Sequence, residues 1–163
     1  MWRRADPDRR ALLAAALAAP ALARAAEVDP RQYIEPGGEV DVSGLARGDW
    51  LIAVVDDQPV FVRRRTPAEV AAARATPMAA LRDPARDEDR APGKGEWLTV
   101  SGRCTHAGCT VMGGLGPYHG WMCLCHGSIY DTSGRVRSGP APRNLAVVPH
   151  RGPAGRRLTL AAA

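Results

Sequence analysis

Between Cys104 and Tyr130 the chain reads CTHAGCTVMGGLGPYHGWMCLCHGSIY. All 4 cysteines of the protein lie in this stretch, Cys104, Cys109, Cys123 and Cys125, and so do His106, His119 and His126 of its 4 histidines. Thiolates and imidazoles are the side chains that zinc, copper and iron–sulfur centres select. Two groups stand out, Cys104-x-His106 and Cys123-x-x-His126, with Gly108 and Gly127 placed to relieve tight turns. Two thiolates and two imidazoles satisfy a tetrahedral zinc. They also satisfy a [2Fe–2S] cluster in which two histidines replace two cysteines on one iron. Zinc knuckles space their cysteines by about two to four residues. Neither Cys104-x-His106 nor the Cys123-Leu124-Cys125-His126 run has that form, so the spacing favours iron–sulfur, with a structural zinc module as the rival. Cys109 and Cys125 are surplus to four ligands, and His119 and His150 read as exposed histidines without a ligand role.

Ligands on loops need a frame. Glu39–Val42 alternates in the manner of a strand, and Trp50–Val55 and Val60–Arg64 are short β-rich runs with a hairpin loop at Asp56–Pro59. Thr66-Pro67-Ala68-Glu69 starts a helix that runs to about Ala75: Thr66 caps it, Pro67 suits its first position and Glu69 closes a capping box. Residues 82–95, charged and rich in proline and glycine, read as a loop. Trp97–Ser101, Trp121–Cys123, Ile129–Asp131, Leu145–Val148 and Arg157–Leu160 are further strand candidates. Short strands at this spacing with one short helix imply a mainly antiparallel β domain.

Composition narrows the partners. The net charge of +5 is carried by arginine, with Lys94 as the sole lysine. These arginines are interspersed with aspartate and glutamate and read as a solvated surface; no basic helix or aromatic base-reading motif accompanies them, which argues against nucleic acid. Aromatics are 5% of the chain, so the core is modest and a covalent or metal staple would help it. At the front, four arginines precede an apolar run, Ala11–Ala23, only ~20 Å long as a helix against the ~30 Å of a bilayer core. Asp8-Arg9-Arg10-Ala11-Leu12-Leu13 has the form of a twin-arginine export signal, and small-x-small cleavage sites follow. Residues 1–26 are therefore expected to be such a signal or a short membrane anchor, and 27–38 a linker or neck.

CTHAGC and CLCHGSIYD resemble the two signature boxes of Rieske proteins, of the type found in respiratory cytochrome bc complexes. The resemblance runs from EVDVS at 39 to PRNLAVVPH at 150 and includes PVFVRRRTPAEV, LRDPARDEDR and GPAPRNL. It implies a small antiparallel β Rieske domain over 39–163, with an inserted cluster-binding subdomain over about 102–144. It implies that Cys104 and Cys123 hold the inner iron and His106 and His126 the outer iron, with Cys109 and Cys125 joined in a disulfide between the two loops. It places Ser128 and Tyr130 as hydroxyl donors to cluster sulfurs, and Gly139-Pro140-Ala141-Pro142 as a loop covering the cluster. Ala107 stands where the family usually has leucine, Leu124 where it has proline, and Thr110-Val111 where it commonly has Val-Pro.

The activity implied is that of an electron-transfer subunit of ubiquinol–cytochrome c reductase, with cytochrome b and a c-type cytochrome as partners, in a bacterial inner membrane with the cluster domain in the periplasm. His126, with His106 as rival, is the imidazole expected to meet the quinol and couple proton to electron transfer. A small Rieske subunit of another exported oxidoreductase, such as arsenite oxidase, is the alternative.

Overall fold

The computed structural model describes residues 31–34 and 37–161. The twin-arginine-like segment 1–26 and the start of the linker lie outside the described residues. Strands β1 (Arg31–Tyr33), β3 (Trp50–Val55), β4 (Gln58–Arg64) and β5 (Trp97–Ser101) form a central sheet in the order β1-β3-β4-β5. A second sheet contains β2 (Glu39–Asp41), β10 (His150–Ala154) and β11 (Arg157–Leu160), and a third contains β6 (Met112–Gly113), β7 (His119–Cys123), β8 (Ser128–Asp131) and β9 (Val136–Ser138). Pairing is antiparallel throughout except between β1 and β3, so the mainly β, antiparallel fold is as expected. β1 falls within the stretch expected to be linker.

The central sheet has a core on each face because its strands alternate apolar residues onto both. Leu51, Ala53, Val55, Val60 and Val62 face Val40, Leu158 and Leu160 of the second sheet. Phe61, Leu98 and Val100 face Val111, Trp121, Tyr130 and Leu145, a core that also encloses Cys104 and Cys123. The candidate ligand sulfurs are thus set into a hydrophobic core rather than laid on a surface.

Local signals held where the chemistry is local. Helix α1 (Pro67–Arg74) has Thr66 as its N-cap, and both arms of the capping box with Glu69 are made. The β3–β4 hairpin is tighter than expected. Asp56 and Asp57 alone turn the chain, at φ 47° and 57°, a left-handed pair that aspartate tolerates, while Gln58 and Pro59 already pair with Val55 and Val54. Leu145–Val148 is not a strand. It follows β5 through Ser101 N–H to Ala146 O and Val148 N–H to Thr99 O, and Pro149 has no N–H to extend the ladder.

The loop expected over 82–95 contains a one-turn helix, α2 (Asp87–Arg90), whose Asp87 and Arg90 are buried. Arginine, expected as solvated surface, is buried at Arg63, Arg65, Arg90 and Arg135. Each has a partner: Glu69 for Arg63, Asp87 for Arg65, the carbonyls of Ser133 and Leu145 for Arg90, and Asp131 for Arg135. Sequence displays the charge but not which carboxylate or carbonyl the fold brings to it to make its burial tolerable.

Candidate metal centre

Two loops at one end of the third sheet carry the cysteine–histidine groups. The first leaves β5 and returns at Val111, whose N–H donates to Gly102 O. The second is the β7–β8 hairpin loop, closed by the Cys123–Ser128 pair. Both close in the same way. Gly108 N–H donates to Cys104 O and Gly127 N–H to Cys123 O, each at 2.9 Å, with φ of 73° and 74° at the two glycines. A side chain would strain either position through the backbone alone, since an added Cβ meets nothing within 4 Å.

The disulfide expected from the family resemblance, Cys109–Cys125, joins the two loops. Cys123 Sγ and the two bridged sulfurs lie within 4.8 Å of one another. The bridged pair has no thiolate to offer, so the soft donors are Cys104 and Cys123, free and 3% and 1% exposed. His106 and His126 pack edge to face, ring centroids 4.7 Å apart at 89°, on the exposed side. The expected ligand residues are therefore gathered into one place, sulfurs inside and imidazoles outside.

The sulfurs sit among hydrogen bonds that favour negative charge. Burial opposes ionisation of Cys104, but hydrogen bonds from the Tyr130 hydroxyl, the His106 amide, Cys123 and Ser128 outweigh it and hold the thiol below its ordinary value. Burial pushes Cys123 up, and the neighbouring Cys104 adds to the rise, against the opposing Cys125 and His126 amides. Tyr130 is pushed up to about 12, by burial first and then by Cys104, so its hydroxyl keeps its proton. That hydroxyl accepts from Thr105 N–H at 3.3 Å, which leaves its own hydrogen for Cys104 Sγ at 3.3 Å. Thr105 Oγ1 donates to Arg143 O at 2.6 Å, tying the first loop to the end of the Gly139–Pro142 segment. That segment lies against the second loop: Ala141 N–H donates to Ser128 Oγ at 3.0 Å, and a Cβ on Gly139 would come within 2.5 Å of Ser128 Cα.

Sequence reasoning gave no role to Thr105, which donates to Arg143 O, to Arg82, which donates to the carbonyls of Gly139 and Ala141, or to Asp83 and Asn144, which bond each other just beyond Pro142. Their contacts are long-range and leave no periodic signal. His119 is exposed, as expected, at the far end of β7 from Cys123. His150 differs from expectation: it is half-buried, its Nδ1 lies 2.9 Å from Thr99 Oγ1, and burial pushes its pKa down.

A β frame that presents two disulfide-locked loops, with paired buried thiols beneath paired exposed imidazoles, is that of a small iron–sulfur protein. Residues 41–149 match the Rieske [2Fe–2S] domain, and the chain belongs to that family. It is 51% identical over 113 residues to the ubiquinol–cytochrome c reductase iron–sulfur subunit of Rickettsia prowazekii, covering 69% of this chain and 64% of that subunit. It is 50% identical over 109 residues to the mitochondrial cytochrome b-c1 complex subunit Rieske of Schizosaccharomyces pombe, covering 67% of this chain and 47% of that one. The match thus spans about half to two thirds of the length of these curated relatives. A solved structure of a hyperthermophilic respiratory Complex III aligns with a TM-score of 0.52 at 25% identity, covering 74% of this chain and 71% of that one. The family carries a Rieske-type [2Fe–2S] cluster, and the donor set here fits it: two buried thiols, two histidine rings, and hydroxyl and amide donors around the sulfurs.

Proposed function

We propose that Cys104, His106, Cys123 and His126 hold the cluster, thiolates on the inner iron and imidazoles on the outer, and that the chain is the electron-transfer subunit of a ubiquinol–cytochrome c reductase. The observation that carries this reading is the pair of exposed imidazoles, 4.7 Å apart, above two buried unpaired thiols. When bound, the cluster supplies a one-electron acceptor whose histidine ligation places its potential at about −150 to +300 mV, well above four-cysteine clusters. The protein supplies the rest. His126 accepts a hydrogen bond from the quinol hydroxyl and takes its proton; His106, edge-on beside it, is the rival for that role. Leu124, 64% exposed within the second loop, offers apolar surface to a quinone ring. Tyr130 and Ser128 direct hydroxyl hydrogens at sulfur, and Gly139, Pro140, Ala141 and Pro142 keep water from it.

The partners that follow are cytochrome b at the quinol site and a c-type cytochrome as electron acceptor, with the cluster domain, 39–163, on the periplasmic side of a bacterial inner membrane and its cluster-binding part over about 102–144. The segment 1–26, twin-arginine-like, would serve as signal or anchor; among the described residues no helix is long and apolar enough to cross a membrane. The test is a redox titration of the purified protein followed by electron paramagnetic resonance and visible absorption. The reading predicts a reduced-state signal of a mixed nitrogen–sulfur [2Fe–2S] centre and a midpoint in the range above. A colourless protein with one zinc overturns it.

A further inference from the structure

The Gly139–Pro142 segment is poorly equipped to hold itself. Pro140 and Pro142 have no N–H, so between them only Ala141 can donate, and its N–H is used on Ser128 Oγ. The carbonyls of Gly139 and Ala141 need an outside donor. One nitrogen supplies both: Arg82 Nη1 donates to Gly139 O and, at 2.9 Å, to Ala141 O, straddling Pro140. The next residue anchors the far end. Asp83 Oδ2 accepts Asn144 N–H at 2.8 Å and Asp83 O accepts Asn144 Nδ2 at 2.9 Å, while Asn144 Oδ1 takes Val136 N–H from β9 at 2.8 Å. Leu81, buried, roots this short crossing strap in the protein.

The consequence lies one bond further in. Ser128 has a single hydroxyl hydrogen and two acceptor lone pairs. With one lone pair taken by Ala141 N–H, the hydroxyl hydrogen is left to point away from the segment, and Ser128 is the cross-strand partner of Cys123, the proposed ligand of the second loop. We propose that Arg82 is a positioning residue for the cluster: by fixing the carbonyls of Gly139 and Ala141 it keeps Ala141 N–H on Ser128 and so keeps the Ser128 hydroxyl directed at the sulfur site. A donor held on sulfur favours the reduced state, so Arg82 raises the reduction potential without touching the metal. This inference rests on the ligand set proposed above.

The test compares Arg82→Ala, Arg82→Lys, Ser128→Ala and the double variant Arg82→Ala/Ser128→Ala in the full chain loaded with cluster. Midpoint potential is read by titration, and deuterium uptake by the peptide covering 139–144 is read by mass spectrometry. Arg82→Ala is expected to lower the one-electron reduction constant about tenfold, which is about 59 mV, and to raise exchange in the peptide. Arg82→Lys, still able to donate to a carbonyl, recovers most of the shift. In the Ser128→Ala background the Arg82→Ala shift disappears, because the group through which it acts is gone. An unmoved midpoint overturns the inference. So does an equal shift with and without Ser128, which would make Arg82 a distant charge. Should Arg82→Ala fail to fold, Arg82→Gln with and without Ser128 gives the same decision. A wild-type protein without a [2Fe–2S] signal overturns the ligand reading and this inference with it; a normal signal with an unmoved midpoint overturns this inference alone.

Discussion

Tyr130→Phe separates the two services of one hydroxyl. The ring is fully buried and stays, so packing is kept and only the oxygen is lost. That oxygen accepts Thr105 N–H and donates to Cys104 Sγ, each at 3.3 Å. A hydrogen bond to a charged partner contributes about 1.5–3 kcal/mol. On the proposed ligand set the Cys104 sulfur is negative in both redox states and more so after reduction, so about half of that figure, roughly 0.7–1.5 kcal/mol, distinguishes the states. With about 59 mV for each tenfold change in a one-electron equilibrium, the midpoint should fall by about 30–60 mV. Thr105 N–H is meanwhile left without its acceptor, which should lower stability by about 1–3 kcal/mol. Redox titration reads the first effect and urea unfolding of the cluster-free protein the second. A full loss of stability with an unchanged midpoint would refute the reasoning, since the hydroxyl would then serve Thr105 and not the sulfur.

Replacing Cys109 and Cys125 together by serine removes a cross-link between positions 16 apart, for which the chain-entropy model gives ~3 kcal/mol; urea unfolding should show that loss, and the cluster absorbance should bleach faster because the bridge no longer holds the two loops together. Asp87→Asn leaves Arg65, fully buried and held by both carboxylate oxygens at 2.5 and 3.1 Å, without a counter-charge; the cost should be about 3–5 kcal/mol by urea unfolding at neutral pH. Asp87 also gives a pH signature. Burial favours its neutral form, but hydrogen bonds from Arg65 and Ser133 and the Arg65 charge outweigh burial and hold the carboxyl below its ordinary range. The native pKa is below the unfolded one, so its stabilisation is complete above about pH 4 and is lost as pH falls towards the native value; urea unfolding of Asp87→Asn between neutral pH and pH 3 should show a shallower decline than the wild type.

What could be read in the sequence was what chemistry or the local chain dictates. Coordination requires cysteine and histidine themselves, so the residues the structure gathers at these two loops stood out in their spacing, and the capping box at Thr66 and Glu69 is closed within one turn. The disulfide partners were visible only through family resemblance. What escaped depends on distance in sequence. Arg65 and Asp87 are 22 apart, Arg90 and Leu145 55 apart, and Arg82 and Ala141 59 apart, and no periodicity links such pairs. β6 is too short, at 2 residues, to display alternation, and β9 opens on buried Val136 and ends on exposed Ser138 with no pattern between. Leu145–Val148 shows the opposite failure, a β-rich run beside β5 whose pairing stops at Pro149.

The buried arginines explain how so alanine-rich an insert can be held in register. α1 buries only Val70 and Ala73, and α2 is a single turn, so the segment between β4 and β5 has little apolar area with which to dock. Arginine forks replace that area with directed bonds. Arg65 reaches Gly95 O as well as Asp87, Arg135 reaches Ala73 O as well as Asp131, and Arg90 reaches the carbonyls of Ser133 and Leu145 on either side of β9. Buried ion pairs seldom add net stability over apolar packing. What they impose is position, because a planar fork accepts few geometries where a hydrophobic face accepts many. The insert held in this way is the one that carries Arg82 and Asp83 to the proline segment. A chain of directed bonds therefore runs from the middle of the domain to the Ser128 hydroxyl, and on the inference above a loosening of Arg65–Asp87 should be felt at the sulfurs although neither residue lies near them in sequence.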